Sequence, residues 1–230
     1  ELQSLTAGGN LRVTVHNADL LTELVDKDGN ETDLKPNKEV KVNKKETKIF
    51  AEDEYIREGT TVEKLARLRP AFKADGSVTA GNASGINDCG AAVVLMTDEE
   101  AKKRGLKPIV KVAAAAVAGV DPAYMGIGPV PAVKKLLEQT GLKKEDIGLY
   151  ELNEAFASQS LACIRELGLD VEKVNVNGSG ISMGHPIGAT GCIITIKLMN
   201  EMVRRNEKYG IATLCIGGGQ GLAVLFELCE

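Results

Sequence analysis

No apolar run in this 230-residue chain is long enough to span a bilayer, so no transmembrane helix is expected. There is no excess of positive charge: 28 Lys and Arg face 32 Asp and Glu, giving a net charge of −4. That balance predicts no nucleic-acid partner and no anionic-membrane partner. No Cys-x-x-Cys pair exists. The five cysteines, Cys89, Cys163, Cys192, Cys215 and Cys229, are odd in number and irregular in spacing. This argues against a disulfide framework and a structural zinc site, and it fits a reducing cytosol. The chain opens Glu-Leu-Gln-Ser-Leu-Thr, with neither a secretory leader nor an initiator Met. The expectation is a cytoplasmic protein, processed or cut from a longer one.

Several familiar templates are missing too. No glycine loop ends in Gly-Lys-Ser/Thr, as a P-loop does, and no Gly-x-Ser-x-Gly elbow occurs. Gly217-Gly-Gly-Gln-Gly precedes a strand pattern rather than a helix, which excludes a dinucleotide fingerprint. Asp26-Lys-Asp-Gly-Asn-Glu-Thr superficially resembles a calcium loop. Its glycine comes too early and no glutamate closes the twelfth position, so no metal is expected.

What remains is 43% apolar and 26% charged, ordinary for a soluble globular chain with one or two domains. Leu11–His16 alternates like a strand. The Asp-Gly at 28–29 reads as a tight turn. The basic run over 41–48 alternates with Val and Thr, as the wet face of a strand or hairpin would. A short helix over 61–68 is capped by Thr60 or Thr61, and 79–88 is a polar loop. Ala91–Met96 reads as a buried strand. Thr97 caps a helix whose acids come first and bases follow, and Gly105 closes it.

From residue 108 the chain alternates cleanly. Strands are expected at 109–117, 146–151, 211–216 and 222–228. Helices are expected at 131–140, 155–167 and 191–206. The last two strands, joined through the glycine run, form a hairpin. Strands alternating with helices predict an α/β layered fold.

Three polar groups sit in glycine-rich turns of this second half. Cys215 leaves a buried strand for a loop of free amides, where a thiolate or an oxyanion finds donors; the plain alternative is a small core cysteine. His185 lies between Gly184 and Pro186, just before a helix, a setting that favours neutral imidazole and suits a base or donor. Asn153 follows a strand and precedes a helix, where ligand sites gather in α/β folds; its plain role is a helix cap. His16, in a strand-like surface segment, carries no expected role.

The order of the motifs adds to this. Asn-Glu-Ala-Phe-Ala from Asn153, Asn-Gly-Ser-Gly-Ile-Ser-Met-Gly-His-Pro-Ile-Gly-Ala-Thr-Gly from Asn177 and Cys-Ile-Gly-Gly-Gly-Gln-Gly from Cys215 together closely resemble the thiolases. Leu-Arg-Pro-Ala-Phe-Lys from Leu68, Thr-Ala-Gly-Asn-Ala-Ser-Gly-Ile-Asn-Asp from Thr79 and Met-Gly-Ile-Gly-Pro-Val-Pro-Ala from Met125 agree, as does Ala-Gly-Val-Asp-Pro from Ala118. The resemblance covers about residues 38–230. It implies a thiolase-like layered α/β fold: the tail of a first half with a loop-region remnant over 38–105, a C-terminal domain over 106–230, and an unassigned segment over 1–37.

The family catalyses reversible Claisen condensation of acyl-CoA thioesters through two cysteines. The resemblance makes Cys215 the acid/base cysteine and His185 the group that activates the nucleophile and donates to a thioester oxygen. Asn153 would hold a water that completes that oxyanion hole, and the Gly217 N–H would serve another. Ser84 would touch the pantetheine arm; Met125 and Phe156 would line the pocket. No cofactor is implied beyond coenzyme A as part of the substrate. The implied partners are acyl-CoA substrates and a missing first half or partner chain, and a homo-oligomer is expected.

The departures are specific. The first half with its nucleophilic cysteine and most of the CoA-binding loop region have no counterpart here. The family's Ile-Asn-Asp-Gly-Ala-Ala-Ala reads Ile86-Asn-Asp-Cys-Gly-Ala-Ala. Cys89 is read as a small residue before a strand rather than as a replacement nucleophile. Two functions compete: the C-terminal portion of an acetyl-CoA acetyltransferase, inactive without a supplied nucleophile, and a non-catalytic thiolase-like module that works by association. A β-ketoacyl synthase is disfavoured, because those enzymes generally place histidine where this chain has Cys215.

Overall fold

In the computed structural model the described residues are 56–229, together with 11–14, 23–25, 31–33, 38–44 and 46–50. They fall into two compact units, one between His16 and Arg67 and the other comprising the rest. The smaller unit holds two antiparallel hairpins, β2 (Glu23–Val25) with β3 (Glu31–Asp33) and β4 (Lys38–Asn43) with β5 (Glu46–Phe50). The second hairpin is the alternating basic run. The expected Asp-Gly turn lies outside the described residues. Helix α1 (Val62–Leu65) is capped by Thr61, whose hydroxyl accepts from the Lys64 N–H.

The larger unit is built on a six-stranded sheet, ordered β6-β1-β7-β10-β9-β8. Its strands are β1 (Leu11–Thr14), β6 (Val94–Thr97), β7 (Val110–Gly119), β8 (Leu149–Leu152), β9 (Tyr209–Ile216) and β10 (Gln220–Leu228). All neighbours are antiparallel except β8 and β9. That parallel pair needs a long crossover, supplied by α4 (Ala157–Leu167), α5 (Gly180–Met183) and α6 (Thr190–Arg205). Helix α2 (Asp98–Lys103) follows β6 with Thr97 as its cap, and α3 (Pro129–Thr140) follows β7.

Strand alternation sends side chains to two separate cores. Ile211 and Leu152 join Val133 and Leu136 of α3 and Cys163 of α4 on one face. Ala212 and Leu149 join Ile194, Leu198, Met199 and Met202 of α6 on the other. The result is a helix–sheet–helix sandwich, as the alternation of elements predicts.

Three details differ from the sequence expectation. The strand expected at 91–96 lies at 94–97 and is not buried: Val94 and Leu95 are 46% and 47% exposed. It is the edge strand, paired only with β1, so an apolar run here marks an uncovered edge rather than a core. The strand expected from 146 begins at Leu149, because Lys144–Asp146 forms a 3-10 turn. The long helix ends at Arg205, with Asn206 as its left-handed cap.

Candidate active site

Strand β8 delivers Asn153 to the end of the sheet, where its backbone N–H donates to the Thr213 carbonyl at 3.0 Å. Among the described residues the strand has no sheet neighbour on its outer side beyond an isolated bridge from Tyr150 to Val174. Asn175 takes that place with its side chain: Oδ1 accepts from the Leu152 N–H and Nδ2 donates to the Leu152 carbonyl, both at 2.8 Å. Asn175 holds a positive φ of 50°, which asparagine tolerates. Sequence reasoning missed it, although an Asn between two valines inside a strand-like stretch is the signal.

Asn153 is fully buried, and Nδ2 lies 3.3 Å from His185 Nε2. On the other side of the ring, Nδ1 is 2.7 Å from Thr190 Oγ1. The Thr190 hydroxyl already donates to the Pro186 carbonyl at 2.9 Å, so its oxygen accepts from Nδ1–H. This fixes the tautomer: Nε2 carries the lone pair and accepts from Asn153. Burial lowers the His185 pKa, which keeps the ring neutral. Asn153 Oδ1 is buried with no hydrogen-bond partner among the described residues. Here is a neutral imidazole whose Nε2 lone pair is held by the Asn153 amide, next to a buried amide oxygen that can take one further donor.

The polar loop over 79–88 lies against this pair. Ser84 donates both its N–H and its hydroxyl to the Ala155 carbonyl, each at 3.0 Å, and the Ala157 N–H donates to the Asn82 carbonyl. The His185 N–H is shared between the Gly85 carbonyl at 3.1 Å and Asn87 Oδ1 at 3.3 Å. Ser84 is therefore a fastener of the loop, and its oxygen remains free to accept.

Cys215 ends the buried part of β9. A cleft of about 410 Å³ joins it to Tyr124, Met125, Gly126, Phe156 and Gln159. Burial raises the Cys215 thiol pKa, so the group is a protonated thiol at neutral pH. Cys163 lies deeper; its thiol donates to the Gly126 carbonyl at 3.4 Å, and burial pushes its pKa up to about 11. Gln159 donates to Cys163 Sγ at 3.6 Å and faces the same cleft. Nothing in the local pattern marks Gln159 beyond its place on α4.

The structure thus brings Cys215, Met125 and Phe156 into one cleft and couples His185 to Asn153. It does not place Ser84 or Gly217 on that cleft's lining. Gly217 stands exposed at the hairpin turn. Cys89 lines a different cleft from Cys215.

Two glycines set the hairpin. Gly219 has φ +88°, and its carbonyl accepts from the Val120 N–H at 2.7 Å, tying the turn to the end of β7. Gly221 pairs directly with Cys215, and a Cβ there would overlap the Gly128 carbonyl at the start of α3. Gly221→Ala must push α3 and the cleft wall off the hairpin, an overpacking cost of about 1–3 kcal/mol. Denaturant unfolding should register that loss; an unchanged midpoint would show that the contact is not tight.

The thiolase N-terminal domain family matches residues 31–99, and the thiolase C-terminal domain family matches residues 106–228. The chain belongs to the thiolase family. It is 56% identical over 181 residues to the 3-ketoacyl-CoA thiolase of Bacillus subtilis, covering 79% of this chain and 46% of that one. Its fold resembles the crystal structure of Bacillus anthracis acetyl-CoA acetyltransferase, with a TM-score of 0.76 at 54% identity, over 84% of this chain and 49% of the other. Human mitochondrial 3-ketoacyl-CoA thiolase, solved in complex with CoA, gives a TM-score of 0.73 at 45% identity, over 79% of this chain and 46% of that one. This thiolase chain spans about half the length of the relatives it matches. Its layered α/β fold matches about half the length of each of those solved thiolases. Among the described residues no helix is long and apolar enough to cross a membrane. No group of three or more His, Cys, Asp or Glu among them could hold a metal ion.

Proposed function

We propose that this chain carries the acid/base side of an acetyl-CoA acetyltransferase site, for reversible Claisen condensation and thiolysis of acyl-CoA. A first thiolase half supplies the nucleophilic cysteine, and coenzyme A enters only as part of the substrate. In this reading residues 38–105 are the tail of the first half and 106–230 the C-terminal domain. The protein works in the cytoplasm as an oligomer.

The observation that carries the reading is Cys215, a buried thiol with a raised pKa, in one cleft with Met125 and Phe156. The α-proton of a thioester is weakly acidic. A thiolate whose parent pKa is high is a better-matched base for it than an ordinary one. The enolate so formed needs donors. The enolate oxygen is served by a water bound to the free Asn153 Oδ1 and by His185, whose Nε2 can donate once it has taken the nucleophile's proton. The exposed Gly217 N–H is offered to a different oxygen, that of the acyl group carried by the nucleophile. His185 Nε2 is also the lone pair that activates the incoming nucleophile, in place of its hydrogen bond from Asn153. Ser84, with an oxygen free to accept, touches the pantetheine arm.

The test mixes this full chain with acetyl-CoA, alone and with a separately produced first half of a relative, and follows acetoacetyl-CoA cleavage and intact mass. Alone, the chain should give neither an acetyl adduct nor turnover. With the partner half, turnover should appear and the acetyl group should sit on the partner's cysteine. Turnover by the chain alone would overturn the division of labour. Stable association without turnover would support the second reading, a non-catalytic module that acts by association. That reading is favoured by exposed apolar side chains such as Ile86 (91% exposed), Val94 and Leu95.

A further inference from the structure

Two thiols that the proposed reaction does not use share a second cleft, of about 390 Å³. One wall is the loop before β6, carrying Asn87 and Cys89. The other is the turn from Pro186 into α6, carrying Cys192 in the first helical turn. Cys89 is the one exposed cysteine of the five, and Cys192 is half-buried. Burial raises the Cys192 pKa, and the neighbouring Cys89 pushes it the same way, so the two sulfurs are within electrostatic reach. Gly90 and Gly188, one on each wall, have no atoms within 4 Å of where a Cβ would stand. Both walls are thus open at these glycines, beside Cys89 on one side and in the turn before Cys192 on the other.

We propose that Cys89 and Cys192 form a thiol–disulfide exchange site that accepts small soluble disulfides. The asymmetry of exposure sets the order. The Cys89 thiolate attacks one sulfur of the incoming disulfide, forms a mixed disulfide and releases one thiolate. The Cys192 thiolate then attacks the Cys89 sulfur, forms the internal disulfide and releases the second. Both protein thiols give up their protons and one electron each, and the small disulfide is reduced to two thiols. The bridge would fasten the 85–89 loop to α6. Because the Gly85 carbonyl and Asn87 Oδ1 hold the His185 N–H, the bridge would clamp that histidine from both sides.

The experiment incubates the reduced full chain with oxidised glutathione and reads intact mass, then maps cysteines after alkylation and non-reducing digestion. The expected product has lost two hydrogens and yields a linked Cys89–Cys192 peptide. Cys192→Ser should stop at a stable glutathione adduct on Cys89, and Cys89→Ser should give neither product at these positions. If the unaltered chain ends as the Cys89 adduct, as Cys192→Ser does, or if another cysteine forms the link, the proposal is overturned.

Discussion

Cys215→Ala, in an enzyme assembled from this chain and a first thiolase half, is expected to lower condensation by about 10²–10⁴-fold, the range a positioned acid/base group contributes. Acetylation of the partner's cysteine should survive, because that step leaves the α-proton untouched. Exchange of the α-hydrogens of acetyl-CoA with deuterated water should fall in parallel with condensation. Retained exchange in the variant would remove Cys215 from the proton transfer. Cys215→Ser serves as the companion, since it keeps the volume of this nearly buried side chain and separates chemistry from packing. The pH profile tests His185 in the same assay. Its pKa lies below the ordinary histidine value, so the ring is neutral at neutrality. The acid limb of activity should therefore be centred below 6.5, the ordinary histidine value. An acid limb centred above 6.5 would mean that His185 is not the group that must be neutral.

Much of the site was legible because its chemistry sits in short, uninterrupted motifs. The Asn153, His185 and Cys215 turns each announce themselves by glycine density, and strand–helix alternation after residue 108 places them at strand ends. The cleft itself was less legible. Gln159 and Cys163 look like any helix residues until the Pro122–Ile127 turn is seen to lie over them. The Gly128–Gly221 contact joins residues far apart in the chain, and no local pattern encodes it. The misread strand at 91–96 has the opposite cause. Its apolar residues are real, but periodicity reports only that a surface wants covering, and here nothing among the described residues covers it. Ser84 shows a third limit: sequence order names a loop, whereas only the structure shows its hydroxyl committed to Ala155.

Lys197→Met is expected to destabilise the fold strongly above neutral pH. The Lys197 Nζ donates to Glu151 Oε2 at 2.8 Å and to the Gly178 carbonyl, joining α6, β8 and the turn before α5. Glu151 is buried, and burial raises its pKa to about 7, against the pull of Lys197. Removing the lysine leaves a buried carboxylate with no cation, a loss of about 3–5 kcal/mol when the acid is ionised. The sign of the pH dependence follows from the raised pKa. The unfolded chain ionises this acid near 4.5 and the folded chain near 7, so the folded state binds more protons in between. The stability that comes from the raised pKa is complete below about 4.5 and lost as pH rises through 7. Without Lys197 the folded pKa climbs further. The variant should thus lie close to the parent near pH 5, where Glu151 is protonated in both, and fall furthest behind near pH 8. Equal losses at the two pH values would show that Lys197 acts through packing alone. Restoring neutrality with Glu151→Gln in the same chain should recover most of the deficit at pH 8, because an amide leaves no charge to strand. Glu151 stands two residues before Asn153, and Gly178 precedes the helix that leads to His185. An ion pair outside the reacting groups therefore sets how firmly the two polar residues of the site face each other.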